Sequence, residues 1–293
     1  MSQENTTSRQ WTGKTDGLPW MLTSLIWLLR WMPLQVVYFV VDIVVVFYLF
    51  CRPSATKAQY SFFRLHIKQN CLKASWSVYL NMRQFGKVIV DKFAVFAGKQ
   101  FNIEIDNREW LEQCYDSSLP LVMLSAHIGS FELAGAFLKP RNKQMYVLMY
   151  GGEKEVIMQN RIKQLTPNNI HIISAQSNIN YLFDINNALM QGNIFAMLAD
   201  RNLGSNRTIT TNILGQAKLP LGPFKTATLR EANRCAVFVT KCSTHNYKIY
   251  LTPLTADQPN ELAQEYAHRL TEIIIQYPNQ WFNYYDFWNT SQQ

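Results

Sequence analysis

The amino-acid sequence predicts an α/β fold, in which helices flank a central, mostly parallel sheet. An N-terminal apolar membrane-anchoring helix and then a basic helical region precede this α/β core. Short apolar runs that resemble strands alternate with helical periodicities after residue 100, which is typical of helix-covered parallel sheets. Apolar residues make up 48% of the 293 residues, enough for a sizeable core. Charged residues make up only 16%, below the typical quarter, which indicates a surface that meets lipid or a partner.

The alternation can be followed element by element along the second part of the chain. Buried strands are predicted where apolar and β-branched residues run together over a few positions: 119–125, 145–150, 170–174, 193–199, 235–242 and 247–254. Helices are predicted where apolar residues recur every three or four positions: 130–138, 153–165, 181–190, 224–233 and 260–276. Strands and helices of these lengths build one layered α/β unit.

An apolar segment, Met32 to Phe50, precedes this region. It has about the 20 residues that cross a hydrocarbon core. Asp42 lies in its middle and would cost roughly 2.5–3.5 kcal/mol on an insertion scale, which the neighbouring valines and aromatic residues can offset. We expect a membrane anchor, either one span or a helix that lies in the interface. The alternative is a buried core helix.

The net charge of +8 is concentrated in one block. Residues 1–51 carry three basic and three acidic side chains, residues 52–99 carry nine Lys/Arg and one acid, and residues 100–293 carry sixteen of each sign. Basic residues directly after an apolar segment predict a cytoplasmic location for the rest of the chain, and they attract anionic headgroups. The alternative is a merely solvated face. We expect residues 1–51 to form the anchor segment and residues 52–293 a single domain, made of the basic helical region and the α/β core.

The cysteines and histidines do not indicate a metal site. The five cysteines are odd in number and have no C-x-x-C spacing, so a reducing compartment is expected and neither zinc nor a disulfide framework is indicated. The histidines other than His127 have no metal-ligand spacing, and the G-x-S-x-G motif of serine hydrolases is missing from the sequence.

The segment LSAHIGSFELAG carries the strongest candidate site. His127 follows a predicted buried strand and Glu132 lies in the next helix. Five helical residues turn through about 500°, so the two side chains converge only if His127 precedes the helix. Gly129 supplies the backbone freedom for such a turn, and Ser130 is a candidate N-cap. Both are also expected to line the substrate site.

This placement has a chemical consequence for the imidazole. Open α/β sheets bind ligands at the carboxyl ends of their strands, where His127 would emerge. A carboxylate one turn on, Glu132, can bind one ring nitrogen, fix the tautomer and stabilise the imidazolium. The other nitrogen can then take a proton from an acceptor hydroxyl. The alternative is a histidine with a purely structural role.

Several blocks in order resemble a known family. LSAHIGSFELAG is followed by the arginine-bearing QNRIKQL, by FAMLADRNLG, by the loop LGQAKLPLGPFKTATLREA and by YPNQW. The series resembles the lysophospholipid acyltransferase-like superfamily, and most closely the bacterial lipid A late acyltransferases of the lauroyl/myristoyl type. The resemblance covers essentially the whole chain, and the histidine–glutamate block is its specific part.

The resemblance implies transfer of a fatty acyl chain from an acyl carrier protein thioester, or alternatively from acyl coenzyme A, to a hydroxyl or amine of a membrane lipid or glycolipid. Attack would be direct, with His127 as general base, no acyl-enzyme and no cofactor. The implied location is the cytoplasmic face of the cell inner membrane. The implied partners are the carrier protein, the lipid acceptor and the bilayer, with no nucleic acid.

The resemblance also implies roles for residues outside the histidine–glutamate block. Arg161 is the candidate positive charge for the thioester oxyanion, although it can equally be a solvated helix arginine. Asp200 matches an acid that is common in the family, Arg201 replaces a glutamine or histidine and has an open role, and Gly222 lies in the loop associated with the acceptor. The final segment, WFNYYDFW with Asp286, lacks the family's usual basic pair, which favours an acceptor other than phosphorylated lipid A.

The main alternative function is a membrane-tethered basic protein that binds nucleic acid or lipid without catalysis. The basic block and the aromatic residues are compatible with it. It leaves the pairing of His127 with Glu132 unexplained, and it predicts salt-sensitive DNA binding without transferase activity. A purely structural membrane protein is a third alternative, which predicts that replacing His127 has no effect.

Overall fold

The computed structural model describes residues 19–138, 141–150, 170–175, 180–201 and 207–288. Its helices are α1 (Pro19–Trp31), α2 (Leu34–Cys51), α3 (Pro53–Ser61), a π-helical turn (Phe62–His66), α4 (Cys71–Phe96), α5 (Arg108–Asp116), α6 (Phe131–Phe137), α7 (Asn180–Met190), α8 (Leu221–Ala227), α9 (Pro259–Gln276) and a 3₁₀ turn (Pro278–Gln280). Its strands are β1 (Asn102–Ile105), β2 (Leu121–Ser125), β3 (Met145–Tyr150), β4 (Ile170–Ala175), β5 (Ile194–Leu198), β6 (Thr208–Asn212), β7 (Gln216–Pro220), β8 (Asn233–Lys241) and β9 (Asn246–Pro253).

Seven of these strands form one sheet in the order β1-β9-β8-β2-β5-β3-β4. Every neighbouring pair is parallel except the hairpin of β8 and β9, which is antiparallel. Strands β6 and β7 form a separate antiparallel pair. The predicted central, mostly parallel sheet flanked by helices is therefore confirmed.

Both faces of the sheet are covered, which explains why its strands are continuously apolar in sequence. Successive side chains of a strand point to opposite faces. In β2, Val122 and Leu124 join the core formed with helix α9, whereas Leu121 and Met123 join the core formed with α5 and α6. The sheet is thus the middle of three layers, and β2 lies at its centre.

The N-terminal helices pack on the side of α4. Leu34, Val37 and Tyr38 of α2 are buried in a small apolar cluster with Val90 and Ala94 of α4. The opposite face of α2 is apolar and exposed, as the residues Val36, Phe39, Val40, Ile43, Val44, Phe47 and Phe50 show. By length and composition α2 could cross a membrane, with a mean hydropathy of 2.4 over Leu34–Cys51. One of its faces, however, is packed against α4.

The acidic residue in the middle of this apolar helix has a partner. Asp42 accepts from Arg83 of α4 through both carboxylate oxygens: Arg83 Nε donates to Oδ1, and Nη2 donates to Oδ2 at 2.9 Å. A paired carboxylate avoids most of the cost of an isolated charge next to lipid. The ion pair therefore explains how Asp42 is tolerated in an apolar segment.

The element predictions differ from the structure at one predicted helix and at four short elements that were not predicted. The helix expected over 224–233 starts earlier, at Leu221, and ends at Ala227, because Asn233 is already paired with Leu121 at the start of β8. The hairpin of β6 and β7, strand β1 and helix α5 were not predicted: the strands are only four or five residues long, and α5, although it buries Leu111, Cys114 and Tyr115 on one face, is only nine residues long. The helix expected over 153–165 lies outside the described residues.

Candidate active site

The turn that carries the histidine motif leaves the carboxyl end of β2, the central strand. Strand β2 pairs in parallel with β5, and Ser125 is aligned with Leu198. Two residues further along each strand are His127 and Asp200. The register of two neighbouring parallel strands therefore brings these two side chains together at the edge of the sheet where α/β proteins bind ligands.

Asp200 holds the histidine through both carboxylate oxygens. The ring nitrogen Nδ1 of His127 lies 2.8 Å from Asp200 Oδ1, and the backbone N–H of His127 donates to Asp200 Oδ2 at 2.9 Å. A carboxylate at Nδ1 favours the tautomer with its proton there. It leaves Nε2 as the nitrogen for proton transfer, in a side chain that is 20% exposed next to a carboxylate that is 2% exposed.

Burial and charge set the ionisation of this pair. Burial lowers the pKa of His127 below its ordinary value, and the charge of Asp200 opposes that effect only in part. Burial raises the pKa of Asp200, but the charge of His127, the hydrogen bonds from its ring and backbone, and the charge of Arg201 together leave that pKa below its usual range. At neutral pH the site therefore holds a neutral imidazole beside a carboxylate, the ionisation state that a general base needs.

Gly129 makes the sharp turn that aims the imidazole. Its φ of +54° lies in the left-handed region, and an added Cβ would lie 1.9 Å from the carbonyl oxygen of Val239 in β8. The backbone of the turn is hydrogen-bonded on both sides, from Gly129 N to Gln280 O at 2.8 Å and from Ser130 N to Val239 O at 2.7 Å. Ser130 occupies the N-cap position of α6 as predicted, although its side chain makes no capping hydrogen bond.

The segment after α9 supports the same turn from the other side. The backbone N–H of Phe282 donates to His127 O at 2.9 Å, and Ile128 pairs with Trp281. Arg201, whose role was open in the sequence, donates from Nη2 to Phe282 O at 2.6 Å and lies 5.7 Å from the centroid of the Tyr285 ring. Arg201 therefore ties the carboxy-terminal segment to the end of β5.

The role predicted for Glu132 at the ring nitrogen is corrected by the structure. Glu132 lies in the first turn of α6 and forms an ion pair with Lys92 of α4, while Asp200 occupies the position at Nδ1. The strand register brings Asp200 alongside His127, whereas α6 directs Glu132 toward α4. Glu132 still acts on the imidazole at a distance, because its negative charge raises the pKa of His127.

Two predicted site residues are not brought to this turn by the described structure. Arg161 lies outside the described residues, so its role at the oxyanion stays a prediction. Gly222 lies in the first turn of α8, where an added Cβ would meet no atom within 4 Å. Packing therefore does not require a glycine at this position, and its role at the acceptor also stays a prediction.

Sequence reasoning missed three residues that support the site. Lys92 binds Glu132, Gln280 joins the turn of His127 to β8, and Asn81 of α4 donates to Trp281 O at 2.9 Å. Gln280 lies within YPNQW, one of the blocks that carry the family resemblance, so the sequence did contain a signal for this residue. Lys92 and Asn81 lie in the basic helical region, where no motif marks them.

The family comparison agrees with this geometry. A family model described as "Bacterial lipid A biosynthesis acyltransferase" matches residues 67–290, which include the turn of His127, Asp200 and the segment after α9.

The chain belongs to this family.

It is therefore a lipid acyltransferase, with a lipid acceptor as its substrate, and the non-catalytic alternatives are set aside. Among solved structures, this acyltransferase is similar to the crystal structure of the 1-acyl-sn-glycerophosphate (LPA) acyltransferase, PlsC, from Thermotoga maritima. The identity is 9%, the match covers 83% of this chain and 97% of that chain, and the TM-score is 0.41. The curated proteins that were compared contain no match.

Proposed function

We propose that this acyltransferase moves a fatty acyl chain from the thioester of acyl carrier protein to a hydroxyl or amine of a membrane lipid or glycolipid, at the cytoplasmic face of the inner membrane. The observation that supports the mechanism best is the contact of His127 Nδ1 with Asp200, which leaves Nε2 to act on the acceptor. Acyl coenzyme A is the alternative donor.

The proposed reaction needs one base and no covalent intermediate on the protein. His127 Nε2 takes the proton of the acceptor hydroxyl while its oxygen attacks the thioester carbonyl carbon. The tetrahedral intermediate collapses as the carbon–sulfur bond breaks, and the imidazolium returns the proton to the departing thiolate. The products are the acylated lipid and the free thiol of the carrier, so atoms and charge balance.

Asp200 supports both halves of this proton transfer. It orients the ring before the attack and stabilises the imidazolium that forms afterwards. General-base help of this kind is worth roughly 10²–10⁴-fold in rate. The remaining acceleration has to come from substrate positioning and from stabilisation of the thioester oxyanion, for which Arg161 stays our candidate.

The surface around α3 and α4 fits a membrane-bound enzyme. Four basic residues of the block are exposed there, Arg52, Lys57, Lys68 and Lys73, and the neighbouring apolar residues Leu65, Leu72 and Trp76 are exposed with them. Basic and aromatic residues together are typical of surfaces that meet anionic lipid. The exposed apolar face of α2 extends this surface, and the buried opposite face favours a helix that lies in the interface.

The function is tested by direct product identification. Purified full-length protein in neutral detergent is incubated with carrier protein bearing a labelled acyl chain and with a lipid extract of the host, and the acylated lipid is identified by mass spectrometry. We expect His127→Ala and Asp200→Asn to lose at least about 100-fold in turnover, because they remove the base or favour the wrong tautomer. Glu132→Gln is expected to lose less.

His268→Ala is the matched control, since His268 is exposed on α9 and binds only a neighbouring surface glutamate among the described contacts. It should leave turnover unchanged. Turnover above about a tenth of the wild-type value in the His127→Ala enzyme, with unchanged thermal unfolding, would show that His127 is not the general base.

A further inference from the structure

Two consecutive residues of α4 reach two different parts of the molecule. Asp91 is fully buried and accepts hydrogen bonds from Tyr38 of α2 and Tyr247 of β9, and it forms an ion pair with Lys241 of β8. Consecutive helical residues point about 100° apart. Lys92 therefore leaves the helix in another direction, and it binds Glu132 in the first turn of α6.

The Asp91 cluster fixes α4 against the sheet. Lys241 Nζ donates to Asp91, to Tyr38 Oη at 3.0 Å and to Thr244 O at 2.9 Å, so all three of its N–H groups have acceptors. A buried ion pair with every hydrogen bond satisfied is specific in geometry and costly to break. Because Lys241 lies two residues after Val239, which binds Ser130, the cluster sets the position of α4 relative to the catalytic turn.

Lys92 and Glu132 form an ion pair that is largely shielded from water. Their side chains are 17% and 27% exposed. Charges in such a site act more strongly on their neighbours than surface charges do. The charges that act on His127 are those of Asp200 at Nδ1, Arg201 at the end of β5 and Glu132 in the first turn of α6. Lys92 is the partner that balances the last of these.

We propose that Lys92 is a positioning residue of the active site, which holds Glu132 in the first turn of α6, directly after the turn of His127, and offsets its negative charge there. The hydrogen bonds of the buried Asp91 cluster fix α4 in the position from which Lys92 reaches Glu132. The inference rests on the proposed general-base function of His127 and adds a residue to it. A residue that merely ties α4 to α6 would support the fold and leave the ionisation of the base unchanged.

The sign of the expected effect follows from the charges. Without Lys92, the charge of Glu132 is no longer offset, so the pKa of His127 rises and the base stays protonated to a higher pH. The acid limb of the pH profile of kcat/KM should therefore move to higher pH in Lys92→Met, by about half a pH unit. Lys92→Arg should keep the wild-type limb. Glu132→Gln should move the limb to lower pH.

The experiment measures these profiles for the full-length enzyme together with the Lys92→Met/Glu132→Gln double variant. Because the double variant lacks both charges, its limb should lie close to that of the wild-type enzyme, between the limbs of the two single variants. Lys248→Met is the matched control, because Lys248 pairs with Glu104 at the far edge of the sheet. It should leave the limb in place.

This design distinguishes failure of the inference about Lys92 from failure of the proposed function. An acid limb that stays in place in Lys92→Met, with a lower temperature of unfolding, would overturn the inference and make Lys92 a structural tie alone. A wild-type profile without a histidine-like limb, or an active His127→Ala enzyme, would instead overturn the proposed function itself.

Discussion

At the scale of single residues, the turn of His127 depends on one glycine, Gly129, whose position leaves no room for a Cβ. Gly129 combines a left-handed φ of +54° with a backbone carbonyl where its Cβ would be. The first property costs about 1–2 kcal/mol for other residues, and the second cannot be relieved by moving a side chain. The close approach of the turn to β8 therefore requires a residue without a Cβ.

The chain offers matched controls for these two effects. Gly98 also has a positive φ, +89°, but an added Cβ would meet no atom within 4 Å, and Gly222 has neither constraint. We expect Gly129→Ala to lose at least about 100-fold in turnover, because the hydrogen bonds of the turn to β8 must open and the imidazole must move. Steady-state kinetics measure the loss of turnover, and thermal unfolding measures the loss of stability.

Gly98→Ala should cost only about 1 kcal/mol in unfolding free energy and keep turnover. Gly222→Ala should leave the unfolding temperature unchanged, and its kinetics report on the role predicted at the acceptor. If Gly129→Ala behaved like Gly98→Ala, the close packing of the turn against Val239 would be unimportant for catalysis.

At the scale of elements, the segment after α9, residues 280–283, packs against the turn that precedes α6 and holds it in place. The side chain of Gln280 bridges the backbone of β8, since Lys241 N donates to Oε1 at 2.8 Å and Nε2 donates to Lys241 O at 2.9 Å. The buried amide of Gln59 in α3 also donates to this segment, to Asn283 O at 2.8 Å. Helices α3 and α4, from the first third of the chain, thus hold residues 281–283 next to His127.

This bracing can be measured at Gln280. Gln280→Ala leaves the N–H and C=O of Lys241 without their partners in a site where Gln280 is 6% exposed. We expect a loss of about 1–3 kcal/mol in unfolding free energy, measured by chemical denaturation, together with lower turnover. Gln280→Glu should also destabilise the protein, because a carboxylate can accept from Lys241 N but cannot donate to Lys241 O.

Gln276→Ala is the control at the same end of the molecule, because Gln276 is exposed and its amide makes only long contacts of 3.4 and 3.5 Å. The Gln276→Ala substitution should change the unfolding free energy little. Equal unfolding free energies for the Gln280→Ala and Gln276→Ala variants would contradict the bracing role.

At the scale of the whole molecule, the structure divides the basic block into an inner and an outer part. Arg83 and Lys92 bind Asp42 and Glu132, and Lys87 lies 5.0 Å from the centroid of the Tyr38 ring. The exposed basic residues Arg52, Lys57, Lys68 and Lys73 all lie in the first half of the block. This outer part is the surface on which an acidic carrier protein or anionic lipid can act.

Charge reversal separates these two partners. The triple variant Lys57→Glu, Lys68→Glu and Lys73→Glu is assayed in neutral detergent without anionic lipid. If carrier protein docks here, its apparent KM should rise several-fold and depend steeply on salt, while the KM for acyl coenzyme A changes little, because steering acts on the larger charged partner.

Reversal of Arg108 and Arg141, which are exposed on or near α5, is the control and should leave both KM values unchanged. An unchanged KM for the carrier, combined with weaker binding to anionic liposomes, would assign the exposed lysines to the bilayer alone.

Residues that are near one another in the chain were sufficient to predict six of the seven strands of the main sheet and the turn at His127. Apolar runs predicted the strands that became β2, β3, β4, β5, β8 and β9, because a strand that is buried on both faces has to be apolar throughout. The place of His127 before α6 followed from helical geometry, and Gly129 followed from the need for a turn there. None of these inferences needs a contact between distant segments.

The contact between His127 and its carboxylate, in contrast, could be identified only from the packed fold, although the family resemblance had already marked Asp200 as a candidate acid. Glu132 was the local candidate, but Asp200, 73 residues away, takes Nδ1 because β2 and β5 are neighbours in a fixed register. Lys92 reaches Glu132 for the same kind of reason, since the Asp91 cluster sets the position of α4. Hydrophobic periodicity is a property of one segment, whereas strand order and helix position depend on how distant segments pack, and the chemistry of this site depends on that packing.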